Sequence, residues 1–236
     1  MKKAFQDLSN TTKKIKYEPF SLIYVFWLNL LTFSGGFLNT LGIIVFGDSI
    51  SHFSGNVSRI AIEYENFNFL HAKMIICLLL FYFLGNIFSG MIVKSQEFSF
   101  KNRYGVILML IGATIYFLGM FFPEKIFKYS LPLLLGMQNG LFISYRGTVV
   151  RTTHITGNLT DAGVYLGRAL RGERQDSWKI LFYFLNIFVF FLGSFLGIKF
   201  FNKIGMNAFN LVTVIYITIG LIYFILKKYY LIQNKS

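Results

Sequence analysis

Two polar stretches interrupt an otherwise apolar chain, and each is a copy of the other. Ser51-His52-Phe53-Ser54-Gly55-Asn56-Val57-Ser58 and Thr153-His154-Ile155-Thr156-Gly157-Asn158-Leu159-Thr160 share one pattern: hydroxyl, His, apolar, hydroxyl, Gly, Asn, aliphatic, hydroxyl. The match runs upstream, where Gly36, Asn39, Leu41, Ile43 and Gly47 recur as Gly136, Asn139, Leu141, Ile143 and Gly147. Only a two-residue insertion between Gly147 and His154 breaks the register. Shared hydrophobicity does not produce identities at glycine, histidine and amide positions. The chain therefore carries an internal duplication and must build two like units.

The material around the two stretches says where those units sit. With 55% hydrophobic and only 14% charged residues and a mean hydropathy of +0.56, the composition is that of a membrane protein. Crossing ~30 Å of hydrocarbon takes about 20 helical residues. On that criterion helices are expected near Leu22–Phe46, Ala72–Val93, Tyr104–Phe122, Tyr129–Val150, Trp178–Phe201 and Ala208–Leu226. The lysines before residue 20 resemble the basic region of a signal peptide, but the apolar run that follows is too long and lacks a small-residue cleavage site. It is kept as a span.

Lys and Arg accumulate on the cytoplasmic side of short loops. With the N-terminus inside, 17 of the 23 basic residues fall on inside segments, so both ends are expected in the cytoplasm. Three helices per repeat is an odd number, and the second copy then enters the membrane upside down. Weaker echoes divide the chain the same way: Leu84-Gly85 with Gly90 resembles Leu192-Gly193 with Gly197, and Ile111-Gly112 resembles Ile219-Gly220. The expected fold is an all-α integral membrane protein, six transmembrane helices in an inverted 3+3 repeat. Residues 1–21 form a basic cytoplasmic N-terminus, 22–122 the first repeat, 129–226 the second and 227–236 a cytoplasmic tail.

In each repeat the first helix is followed by a polar break and a short amphipathic helix. Val57, Ile60, Ala61 and Tyr64 make an apolar stripe after the first break, and Leu159, Ala162, Leu166 and Leu170 after the second. Gly55 and Gly157 permit a backbone that leaves the helical region, and Asn56 and Asn158 suit helix N-caps, Asn158 with Asp161 three residues on. A turn and a cap need no imidazole. His52 and His154, costly in a membrane unless paired or facing a cavity, point to a buried hydrogen bond or a ligand contact. Asn39 and Asn139, with Gln138, are expected at mid-helix, either bridging closely packed helices or lining a midplane site. Asp48 reads as a solvated loop residue and His71 as isolated.

The candidate solute-binding or gating residues are Asn39, His52, Ser54, Gly55 and Asn56 in the first copy. In the second they are Gln138, Asn139, Arg151, Thr153 and His154, followed by Thr156, Gly157, Asn158 and Asp161. Arg151 and Asp161 would either pair to close one side or, for Arg151, anchor the inner face or meet an anion. The two breaks are expected to gate opposite compartments.

Catalytic signatures are missing: no His-Glu-x-x-His, no Gly-x-Ser-x-Gly and no phosphate-cradling loop. One cysteine, Cys77, excludes an intramolecular disulfide and a cysteine-based metal site. No enzyme, cofactor or metal is expected, and the basic residues between apolar runs do not build a nucleic-acid surface.

Gly36-Phe37-Leu38-Asn39 through Phe53-Ser54-Gly55-Asn56, with Gly136-Met137-Gln138-Asn139-Gly140 and Arg151-Thr152-Thr153-His154-Ile155-Thr156-Gly157, resemble the YoaK family of bacterial multi-pass membrane proteins. That group is defined as a domain of unknown function. The first copy departs from the family pattern at Ser54, where threonine is usual, and at His52. The resemblance implies a bacterial plasma (inner) membrane protein and no particular reaction. Three functions are expected in order: a small transporter or channel for an unidentified small solute, a non-transporting scaffold or accessory subunit, and an intramembrane enzyme. The lipid bilayer is the expected partner, and a homo-oligomer is compatible with the sequence.

Overall fold

The computed structural model describes residues 20–93, 103–141, 144–145 and 148–233. The long apolar runs form helices because every backbone polar group is then satisfied within the segment, whatever surrounds it. They are α1 (Phe20–Phe46), α2 (Phe53–Glu65), α3 (Phe69–Ile92), α4 (Tyr104–Phe121), α5 (Glu124–Gly140), α6 (Ile155–Leu170), α7 (Trp178–Ile204) and α8 (Ala208–Gln233). Beside them stand a two-residue hairpin, Ser144–Tyr145 against Thr148–Val149, and a 3₁₀ turn over Gly205–Asn207 that reverses the chain between α7 and α8.

Four segments are long and apolar enough to cross a membrane: Tyr24–Phe46, Phe69–Ile92, Tyr104–Phe121 and the continuous Trp178–Ile232, which contains α7 and α8. The protein is a helical membrane protein. The fourth expected helix differs from its expectation. It begins at Glu124, directly after Pro123, and ends at Gly140 rather than Val150. Its 17 residues rise about 25 Å, short of the hydrocarbon thickness. The helix stops because the chain must turn back within a dozen residues for Thr152 and Thr153 to reach Asn139, and the hairpin takes that reversal.

The helices pack in pairs across the duplication. Gly36 of α1 and Gly193 of α7 each stand where a Cβ would meet the other helix's backbone carbonyl, at Phe190 and Phe33. The corresponding residues of the other half make the same contacts, Gly136 of α5 on Tyr82 and Gly85 of α3 on Leu133. In α4 and α8, Gly112 lies against Thr213 and Tyr216, and Gly220 against Gly105 and Met109. These contacts run parallel for α1 with α7 and for α3 with α5, and antiparallel for α4 with α8.

α1 is the most enclosed segment, two thirds (67%) buried, against 22% for α3, so the core is built around it. Trp27 donates its indole N–H to the Ile219 carbonyl at 3.2 Å and lies beside Tyr24, Tyr104 and Tyr223. At the other end Phe46, Phe127 and Phe209 pack edge to face. α2 and α6 turn their apolar stripes outward, with Val57, Tyr64, Leu159 and Leu170 all more than half exposed. They present Asn56, Asn158 and Ala162 inward.

Candidate functional site

After Phe46 the chain does not leave the bundle. Gly47 takes a positive φ of 80°, a conformation that costs glycine little. The chain then runs back along α1, where Gly42 leaves room for the fully buried Ile50. The Asn39 carbonyl oxygen holds it there. It accepts from the Ile50 and Ser51 N–H groups, both at 3.1 Å, and from the Ser49 and Ser51 hydroxyls at 2.9 and 3.0 Å. Ser51 thus lies level with Asn39, about two turns or 10 Å inside the end of α1. There α2 begins and runs back outward.

The second copy repeats the arrangement. The Asn139 carbonyl oxygen accepts from the Thr153 N–H at 3.1 Å and the Thr152 hydroxyl at 3.0 Å. Its amide donates to the Thr153 hydroxyl at 2.6 Å and to the Tyr82 hydroxyl at 2.9 Å. Gln138, fully buried, donates to the Leu31 carbonyl at 2.9 Å and the Thr152 hydroxyl at 2.7 Å, and accepts from the Tyr216 hydroxyl. The Asn39 oxygen and the Gln138 and Asn139 amides therefore bond within the protein. They clamp the breaks to the helices rather than lining an open path.

The clamps bring both helix tips to one cavity of about 200 Å³. Ser51, His52, Phe53 and Ser54 line it from one copy, and Arg151, Thr153, His154, Ile155 and Thr156 from the other, with Tyr82 at the side. The His52 ring stands edge-on to Phe190 at 5.1 Å, 3.2 Å from the Ser51 hydroxyl, and faces the Thr153 backbone and His154. His154 folds back over its own helix, and its ring lies where a Cβ on Gly157 would stand. Ser54, Arg151, His154 and Thr156 are exposed. The expectation that the two breaks sit at opposite gates gives way to a single meeting point. A break that folds back two turns before its helix starts cannot remain at the surface.

Other expectations are corrected here. His52 and His154, in non-helical conformations, occupy the cap positions, and the helices start three residues before Asn56 and Asn158. Both asparagines lie inside the first turn, buried, and the Asn56 amide ties back to the Ser49 carbonyl at 2.9 Å. Gly55 meets nothing within 4 Å. Among the described residues no ion pair joins Arg151 to Asp161, which lies half-buried farther along α6. Asp48 is not solvated but 2% exposed, and His71 is not isolated. Arg59 and His71 each stand 3.2 Å from Asp48, and His71 reaches Glu63 at 2.9 Å with its other nitrogen. This cluster fastens the outer end of α2 to α3. Burial alone would raise the Glu63 carboxyl, but hydrogen bonds from His71 and Asn68 and the charges of His71 and Arg59 outweigh it and hold the group below its usual range. Among the described residues no group of three acidic, His or Cys side chains is arranged to hold a metal ion.

Sequence reasoning missed Tyr82 and the Asp48 cluster. Tyr82 carries one signal, a single hydroxyl in the run Phe81-Tyr82-Phe83, at the position that corresponds to Phe190. Asp48 carries another, since a carboxylate beside an apolar span has to find cations.

Residues 27–222 match the family model described as Protein of unknown function (DUF1275). The chain belongs to this family. The match agrees with the resemblance to the YoaK group, and its description carries no activity. No curated protein and no solved structure matches the chain.

Proposed function

We propose that the protein is a small transporter or channel of the bacterial plasma membrane. Six helices, α1, α3, α4, α5, α7 and α8, cross the bilayer as two inverted halves, and both termini are cytoplasmic. α2 and α6 are half-helices that enter from opposite faces, and the solute passes through the cavity where their tips meet. The observation that carries this reading is the convergence of both copies' His-x-Ser/Thr-Gly-Asn breaks on one cavity lined by Ser54, Arg151, His154 and Thr156. Inverted-repeat transporters place their sites at such interrupted helices near the midplane. The repeated glycine contacts, the same in both halves, support the symmetry.

The scaffold reading also has an observation in its favour, since the Asn39 oxygen and the Gln138 and Asn139 amides are engaged in holding the fold. Osmotic swelling of proteoliposomes separates the two. With Cys77 replaced by Ser, protein carrying Ser54→Cys or Thr156→Cys is tested with glycerol, urea, sodium formate and sodium chloride as probes. For a pathway, at least one probe enters faster than into protein-free vesicles, and a methanethiosulfonate reagent blocks that entry in the cysteine variants alone. Swelling at the protein-free rate for every probe decides for the scaffold.

A further inference from the structure

We propose that the cavity between the two helix tips takes a small anion, on the scale of a halide, nitrate or formate. This rests on reading the cavity as the solute's path, and adds the sign of the solute's charge.

The lining holds one fixed cation, several hydrogen-bonding groups and no carboxylate. Arg151 faces the cavity, as do the imidazoles of His52 and His154 and the hydroxyl groups of Ser54, Tyr82 and Thr156. The acids of the described fold stand outside this lining, Asp161, Glu65 and Glu124 among them, and four others are engaged elsewhere. Asp48 and Glu63 are taken by Arg59 and His71, Glu173 by Arg171, and Asp176 by Lys179. Arg151 has no carboxylate within ion-pair distance among the described residues. Arg151, exposed at the cavity, therefore meets whatever enters it with no carboxylate of the described residues beside it.

The backbone adds to the same sign. The first N–H groups of a helix have no partner within it, and its N-terminus carries about half a positive charge. Here two helices of 13 and 16 residues bring those ends to one cavity. A cation would meet the Arg151 guanidinium and the positive ends of two helices with no carboxylate in the lining to offset them, and a neutral solute would leave the guanidinium uncompensated. About 200 Å³ equals roughly seven water volumes at ~30 Å³ each. That holds a small anion with part of its hydration shell and excludes a nucleotide.

The test uses the full chain, purified in detergent and in proteoliposomes. Melting is followed against sodium chloride, nitrate and formate at constant ionic strength in a sodium gluconate background, with choline chloride and glycerol as controls. At least one small anion is expected to raise the melting temperature saturably, whichever cation accompanies it. Arg151→Gln should weaken that apparent affinity about tenfold, the loss expected for one charge-assisted contact, and Arg151→Lys should retain most of it. If Arg151→Gln does not fold, Thr156→Trp, which fills the cavity from α6, reads the same site. No saturable effect from any anion, or an effect unchanged in these variants, overturns the proposal. Saturable binding without flux upholds the anion site and removes the transport reading. Flux of glycerol or of cations without anion binding removes the anion and keeps the pathway.

Discussion

Asn39 and Asn139 carry the two breaks, and the cost of removing them follows from their bonds. Without the Asn39 oxygen, the buried Ile50 and Ser51 N–H groups lose their acceptor. Each unsatisfied group costs about 1–3 kcal/mol. Asn139 holds the Thr153 N–H in the same way and also donates to Thr153 and Tyr82. Asn39→Ala is therefore expected to lower stability by about 2 kcal/mol and Asn139→Ala by more, read as melting temperature in one detergent. Equal and negligible losses would mean that the clamps are not needed. The sequence marked these residues as repeat mates, and their duplication was legible. Their role was not, because the groups they hold lie 11 to 14 residues away beyond a reversal that no local pattern encodes. The caps were misread for the same reason. With Asn39 already serving residues 50 and 51, the helix can start at Phe53, and Asn56 falls inside it.

At the scale of elements, the apolar runs were legible because a helix apolar on all sides needs no partner to specify it. α1, α3, α4 and α7 begin and end within three residues of the expected limits, and α8 starts at the expected Ala208 but runs seven residues past Leu226. α5 was misjudged because its apolar run continues past Gly140 into the hairpin, and hydropathy does not distinguish a helix from a buried reversal. α2 depends on two fastenings, the Asn39 clamp at its tip and the Asp48, Arg59, Glu63 and His71 cluster at its outer end. Glu63 makes the second fastening depend on pH. Because the folded Glu63 carboxyl lies below its unfolded value, its contribution is full above the ordinary carboxylate pKa of about 4.3. That contribution is lost as the pH falls through the folded value. Acidification below about pH 4.3 should loosen the outer end of α2, seen as faster amide exchange over residues 59–68. Glu63→Gln should remove the Glu63 part of that dependence, and an identical profile in the variant would show that Glu63 does not fasten the helix.

For the whole molecule, the pairing of α1 with α7 and of α3 with α5 fixes how the halves sit. Both pairs run parallel although they join different repeats, the result that the proposed exchange of helices between two oppositely directed units would give. If each unit crosses the membrane three times, the outer end of α2 and the outer end of α6 emerge on opposite faces. The turn at Gly205–Asn207 then shares a face with α2. In a Cys77→Ser background, Asn66→Cys and Asn207→Cys should react with an impermeant maleimide from one side of the membrane and Glu173→Cys only from the other. On the proposed orientation, Glu173 is expected inside. Labelling of Asn66→Cys and Glu173→Cys from the same side would leave the two tips approaching from one face. The symmetric contacts in the core would then describe a packing motif rather than a path. Labelling from opposite sides leaves the cavity between the tips as the place where the two compartments come nearest, separated there by the two histidine-capped helix ends.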